Sequence, residues 1–231
     1  MSHEKVILIT GGSSGIGAAT ARRAHAAGYA LVLAARGEQG LSAIADELAT
    51  SERVLTHACD VREWTDVQAT VAAALERFGR IDAVFANAGF GLERGFTTAS
   101  PEQWRAMILT NVYGVAITIR ATIAAIIESQ GHFVLTGSVA GRKALPGSMY
   151  SATKWAVSSM GESLRQELNG TGARVTLIEP GFVDTPFFDN GPPLEGSLEP
   201  DDIARAIMFA LEQPARIDVN EILVRPTAQD V

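Results

Sequence analysis

The chain has 231 residues, 47% of them hydrophobic and 19% charged, with a formal net charge of -7. That content can bury one large core, so a single domain over residues 1–231 is expected, and the acidic balance argues against nucleic acid, whose binders present a basic face. The lone Cys59 excludes an intrachain disulfide framework and a cysteine-based zinc site; no metal centre is expected, and a reducing, cytoplasmic address is.

Short β-branched runs alternate with longer amphipathic stretches, the pattern of stacked βαβ units. Seven strands are predicted at 5–10, 30–35, 54–58, 83–86, 132–136, 174–178 and 221–224. Helices are predicted at 15–27, 40–50, 63–78, 101–128, 148–169 and 201–212. The expected fold is α/β: one Rossmann-like, doubly wound parallel sheet with helices on both faces. The run Val6 to Ile9 is too short for a signal-peptide core, and no uninterrupted apolar stretch reaches about 18 residues, so no membrane association is expected. Two segments break the rhythm, 89–99 and 181–200, both rich in Gly, Pro and Phe. They follow the fourth and sixth strands, at the sheet edge where ligands of such folds bind.

Thr10-Gly11-Gly12-Ser13-Ser14-Gly15-Ile16-Gly17 stands between the first strand and the first helix. A glycine turn lets backbone N–H groups approach a pyrophosphate, and the helix start adds about half a positive charge. An acidic chain can thus hold an anionic dinucleotide locally. The second strand ends in Ala35 and Arg36, where a fold preferring the unphosphorylated cofactor places a carboxylate. A guanidinium there favours a 2′-phosphate by roughly 1.5–3 kcal/mol, so NADP(H) is expected over NAD(H), although Glu38 lies near enough to serve a free ribose.

Tyr150 and Lys154 lie four residues apart at the start of a predicted helix, on one face. Lowering a phenol from about 10 to about 7 needs roughly 4 kcal/mol, which a cation at ~4 Å supplies at an effective dielectric of about 20. Lys154 is therefore expected to make Tyr150 a general acid/base. The pair alone is commonplace on helices. Ser138 follows the fifth strand and can polarise a carbonyl, or simply cap a turn. Asn111 interrupts an apolar helical stretch, as a buried amide satisfied by neighbouring backbone or as a holder of water.

Taken together, Thr10-Gly-Gly-Ser-Ser-Gly-Ile-Gly17, Cys59-Asp60-Val61, Ala86-Asn87-Ala88-Gly89, Asn111, Ser138, Tyr150-Ser-Ala-Thr-Lys154 and Pro180-Gly181-Phe-Val-Asp-Thr185 resemble the short-chain dehydrogenase/reductase family over nearly the whole chain. The resemblance implies that Asn111, Ser138, Tyr150 and Lys154 are catalytic and that Gly11, Ser13, Ser14, Gly15, Ile16 and Gly17 cradle the cofactor. It further implies that Asp60 and Val61 meet the adenine, that Asn87, Ala88 and Gly89 pack the fourth strand against the cofactor, and that Lys154 also holds the nicotinamide ribose. Pro180, Gly181, Val183 and Thr185 would fix the carboxamide, and Asn111 would hold a water in a proton relay through Lys154. The chain departs at Ala86, where the family usually has a first Asn.

The substrate expected is a small carbonyl or secondary alcohol, lined by Phe90, Leu92, Glu93, Val139, Leu145, Met149, Phe182, Phe187 and Phe188, in a site left fairly open because the later loop is brief for a lid. Arg142 or Lys143 could instead hold a carboxylate, which would suit a hydroxy acid. Trp155, Val157, Met160, Leu164 and Leu168 spread apolar surface over more than one stripe of the Tyr150 helix, so a homodimer or homotetramer is expected. A non-catalytic NADPH-binding regulator would keep the glycine turn but has no use for Asn111, Ser138, Tyr150 and Lys154 together.

Overall fold

The computed structural model describes residues 4–48, 52–188 and 196–229. Seven strands, β1 (Val6–Thr10), β2 (Ala30–Ala35), β3 (Val54–Ala58), β4 (Ala83–Ala86), β5 (His132–Thr136), β6 (Arg174–Pro180) and β7 (Glu221–Val224), form one parallel sheet in the order β3-β2-β1-β4-β5-β6-β7. The chain winds outward to β3 and then returns past β1 to β4. That reversal leaves a crevice at the carboxyl ends of β1 and β4, where ligands of open α/β sheets sit.

Helices α1 (Gly15–Ala26), α2 (Glu38–Leu48), α3 (Trp64–Phe78), α4 (Pro101–Ile108), α5 (Gly114–Ser129), α6 (Met149–Glu167) and α7 (Pro200–Leu211) cover both faces. Alternate strand residues point to opposite sides, which produces two cores. Ile7, Ile9, Leu33, Phe85 and Ile178 pack with Ala21 of α1, Leu41 of α2 and Ile207 of α7. Leu8, Val32, Val84, Phe133 and Leu177 pack with Val71 of α3, Ile126 of α5 and Val157 of α6. Each such side chain contributes about 1.5–3 kcal/mol when fully buried, so the edge that carries the site is rigidly supported. The fold is the doubly wound, Rossmann-like sheet expected.

Most boundaries lie within two residues of expectation, the predicted positions 49–50 lying outside the described residues, and two differences bear on the site. The predicted helix 101–128 is broken by a π-helical segment, Leu109–Tyr113, between α4 and α5. Periodicity cannot reveal such a wide turn, and π segments occur mostly at functional sites. β6 runs two residues past the predicted end, because Glu179 and Pro180 still pair with Leu223 and Val224 of β7. The helical run 101–129 is long and apolar enough by composition to cross a membrane, but its Val115, Ile117 and Ile126 are buried in the cores.

Candidate active site

The glycine turn closes tightly on the end of β4. Gly11 has φ +68°, and a Cβ there would lie 2.9 Å from Asn87 Nδ2 and 3.0 Å from Ala88 Cα. A Cβ on Gly17 would run into the Gly11 carbonyl, so backbone packs on backbone where α1 begins. Ser14 is the N-cap residue of α1 in extended conformation, and its side chain makes no capping bond. Ser13 packs against Gly40 of α2, and Ile16 is half-buried against the core. The start of α1 presents N–H groups that fit a pyrophosphate.

Hydrogen bonds hold the neighbouring strand ends in place. Asn87 N–H and Ala88 N–H donate to Thr10 Oγ1 at 3.0 and 3.1 Å, Asn87 Nδ2 donates to the Thr10 carbonyl at 3.1 Å, and Thr136 Oγ1 donates to Asn87 Oδ1 at 3.3 Å. One amide thus ties β1, β4 and β5, with the exposed Gly89 following it. Arg36 is exposed beyond β2 and makes no ion pair or hydrogen bond among the described residues. Asp60 lies past β3, next to the buried Val61, and its carboxylate is gripped by Arg62, which holds its pKa below the ordinary aspartate range.

Ser138 is buried at the end of β5. Its Oγ donates to the Pro180 carbonyl at 3.4 Å and accepts from Ala140 N–H at 3.1 Å, and its hydroxyl favours the ionised form of the Tyr150 phenol. Tyr150 follows the capping Ser148 at the start of α6. Lys154, 4% exposed, lies one turn on, and its Nζ donates to the Thr136 carbonyl at 2.7 Å. Asn111 lies in the π segment, 1% exposed; its side chain accepts from Phe90 N–H at 3.0 Å and donates to Phe90 carbonyl at 2.9 Å and Thr153 Oγ1 at 3.2 Å. The amide is therefore satisfied by backbone, in the loop after β4 rather than in a strand.

The electrostatics correct one expectation. Burial pushes the Tyr150 phenol up to about 12, opposed only by the Ser138 hydroxyl. Lys154 Nζ stands over the Tyr150 ring, 5.6 Å from its centroid, and burial draws the ammonium pKa down to about 8. Desolvation opposes both charged forms, which counting charges along the helix leaves out.

Around this group, Phe187 stacks edge-on against Tyr150, with centroids 5.5 Å apart at 67°, and covers Gly91, where a Cβ would meet its ring at 2.8 Å. The space beside Tyr150 is narrower than the open site expected. Thr185 reaches the glycine turn, lying 3.2 Å from the place of a Gly15 Cβ. Gly181 N–H bonds the Val224 carbonyl at 2.7 Å, and Val183 bridges to Leu198. Phe90, Leu92, Val139, Leu145, Met149 and Phe182 are half-buried along the same edge, whereas Glu93 is exposed. The Phe188 side chain and residues 189–195 lie outside the described residues. Arg142 is not available to a substrate carboxylate, because its guanidinium is held by Glu179 at 2.7 Å and by Glu221; Lys143 is exposed. Of the α6 residues expected at a partner surface, Val157, Leu164 and Leu168 are core, and Trp155 is 48% exposed.

A family model for short chain dehydrogenase matches residues 5–193. The chain belongs to the short-chain dehydrogenase family. It is 38% identical over 226 residues to an uncharacterized oxidoreductase of Staphylococcus epidermidis, covering 96% of this chain and 97% of that one. Among solved structures, an alcohol dehydrogenase of the archaeon Thermococcus sibiricus complexed with 5-hydroxy-NADP superposes with TM-score 0.93 at 35% identity, over 99% of each chain. A 3-ketoacyl-(acyl-carrier-protein) reductase from Brucella melitensis complexed with NADH does so at 0.88 and 30%, over 98% of this chain and 99% of that one. This short-chain dehydrogenase is accordingly an oxidoreductase of that type. Sequence reasoning missed Thr10, Thr136 and Thr153, whose roles lie in single hydrogen bonds with no pattern of their own. It also missed Glu179, which was signalled as the one carboxylate in the apolar run 175–179.

Proposed function

We propose that this short-chain dehydrogenase is a single-domain, NADP(H)-dependent enzyme interconverting a small carbonyl compound and a secondary alcohol, with Tyr150 as general acid/base. The observation that carries the reading is the placing of the buried Ser138 hydroxyl where it favours ionisation of the Tyr150 phenol, one helical turn before the buried Lys154 and at the same sheet edge as the glycine turn. The turn through Gly11, Gly15 and Gly17 fits a dinucleotide because side chains there would collide with Asn87, the Gly11 carbonyl and Thr185, so glycine keeps the turn tight and brings the N–H groups at the start of α1 to where a pyrophosphate would sit. When bound, the nicotinamide supplies or accepts the hydride.

The chain's residues do the rest. Ser138 and Tyr150 both donate to the carbonyl oxygen, whose charge grows only as reduction proceeds, so their bonds strengthen in the transition state. Tyr150, protonated throughout the neutral range, gives its proton from Oη to that oxygen. Lys154, with an acidity near neutrality, supports the phenolate that remains and serves its reprotonation. Asn111 fixes the Phe90 backbone and so the wall of the substrate loop 89–99; the loop at 181–200 supplies the opposite wall through Phe187. Preference for NADP(H) is supported by the uncommitted Arg36 and by the NADP analogue bound to the archaeal relative. Exposed Ile108, Tyr113 and Trp155 support a homo-oligomer.

The test is NADPH oxidation followed against a panel of aldehydes, ketones and keto acids, with NADH in parallel. Turnover of simple carbonyls with NADPH is expected, and Tyr150→Phe should lower it at least a hundredfold with cofactor affinity unchanged. Undiminished turnover in that variant would refute the assignment.

A further inference from the structure

Glu179 is 1% exposed, and no step of the proposed reaction uses it. Replacing a buried ion pair by apolar residues is often neutral, so stability alone is a weak reason to keep a carboxylate there. Its contacts suggest another reason. Glu179 Oε1 accepts from Arg142 Nε at 2.7 Å, and the same guanidinium reaches Glu221 on β7. Arg142 immediately follows the 3₁₀ turn Val139–Gly141 that begins at Ser138. The Glu179 stem covers Gly137, where a Cβ would lie 2.9 Å from its Cγ, and the next residue, Pro180, accepts the Ser138 hydroxyl. The residues on both sides of Ser138 are therefore held by one carboxylate.

That carboxylate also reaches α6. Ser158 favours its ionised form, and the Ser158 hydroxyl donates to the Lys154 carbonyl at 3.2 Å. Gly141 packs directly on the same place, with a Cβ position 2.8 Å from the Lys154 carbonyl oxygen and 2.9 Å from Ser158 Oγ. The Ser138 segment and the helix bearing Tyr150 and Lys154 thus meet over Glu179. We infer that Glu179 is a positioning residue: through Arg142 and Ser158 it sets the Ser138 hydroxyl against Tyr150. The inference rests on the reading of Ser138 and Tyr150 given above.

Glu179→Gln keeps the volume and an oxygen for Ser158 but removes the charge that grips Arg142. The expected result is a fall in kcat of about tenfold, the scale of a small misplacement in a preorganised site, with the NADPH dissociation constant within twofold of wild type, because the contacts of Glu179 are with Gly137, Arg142 and Ser158 and not with the glycine turn. Arg142→Gln, at a half-open surface position that tolerates polar exchange, should produce the same loss. The double variant should be no worse than the poorer single variant, since both remove one coupling.

Hydrogen exchange resolved to single amides tests the positioning without any turnover. The N–H groups of Ala140, Gly141 and Arg142, bonded to Ser138 Oγ, Ser138 O and Val139 O, should exchange about tenfold faster in either variant, with the β1 amides unchanged. Unaltered exchange at 140–142 in both variants, kcat within twofold of wild type in both, or losses that multiply in the double variant would overturn the inference. A wild-type protein inactive toward every carbonyl would refute the reductase reading instead, and the exchange measurement would still decide whether Glu179 holds the segment.

Discussion

Replacing Arg36 by Ala tests cofactor choice at a position where the structure makes the outcome simple to interpret. The guanidinium is exposed and uncommitted, so its removal breaks no ion pair among the described residues and leaves no buried charge behind. A charge-assisted bond to a phosphate contributes about 1.5–3 kcal/mol, and exposure with solvent screening places the effect near the lower end. About 1.5 kcal/mol is about a tenfold change. Titration of wild type and Arg36→Ala with NADP+ and NAD+ should raise the NADP+ dissociation constant about tenfold and leave that for NAD+ within a factor of two. The wild-type preference should also shrink as ionic strength rises from about 0.05 to 0.5 M, because the Debye length contracts from well above 10 Å to a few Å. Equal weakening for both dinucleotides would mean that Arg36 acts on the shared adenosine, and the argument from the missing carboxylate at Ala35 would fail.

Gly11→Ala should abolish measurable dinucleotide binding and lower stability by about 1–3 kcal/mol, read as a shifted thermal midpoint, because an L side chain at φ +68° is strained and its Cβ meets Asn87. Phe187→Ala should raise kcat/KM for bulky aryl ketones relative to small aliphatic ones by about tenfold, since the ring that flanks Tyr150 is gone; an unchanged ratio would remove Phe187 from the substrate wall. His132 predicts acid lability. Burial draws the His132 pKa down to about 3, and its Nδ1 has no hydrogen-bond partner among the described residues, while the unfolded chain takes up a proton near pH 6.5. The unfolded state thus binds more protons between about pH 6.5 and 3, so stability falls as pH falls through that window. His132→Asn should flatten that slope in denaturation curves recorded between pH 7 and 4, and an unaltered slope would assign acid sensitivity elsewhere.

Most of the architecture was legible because its causes are local. Continuous apolar runs such as Val6–Thr10 mark strands buried on both faces, and Gly11 with Gly17 marks a turn that no other residue can make. The site was legible as a set of residue types at sheet edges, and the structure brings Ser138, Tyr150 and Lys154 together as that order implied. What escaped depends on tertiary context. The π turn at Asn111 has no periodic signature, because one additional residue in a helical turn changes spacing too little to register over five positions. Arg142 resembled a ligand for an external carboxylate because the carboxylates that bind it, Glu179 and Glu221, are on strands 37 and 79 residues away. The Tyr150 phenol was expected to be acidic because charge was counted and burial was not, and in this site burial is the larger influence.

That last difference bears on how the site divides its labour. Asn111 is fixed to Phe90 by two bonds, Lys154 to Thr136 by one, and Ser138 to Pro180 and Ala140, so these three polar groups are committed to backbone before any ligand arrives. Such commitments lower the reorganisation needed when charge develops on a substrate oxygen, and they hold whatever the substrate is. Selectivity then has to lie in residues outside this network: Arg36, which makes no ion pair or hydrogen bond among the described residues, and Phe187, whose ring flanks the phenol. An enzyme organised in this way can change its carbonyl or its dinucleotide by substitution at those positions while Ser138, Tyr150 and Lys154 stay as they are, because none of the bonds that hold the three passes through them.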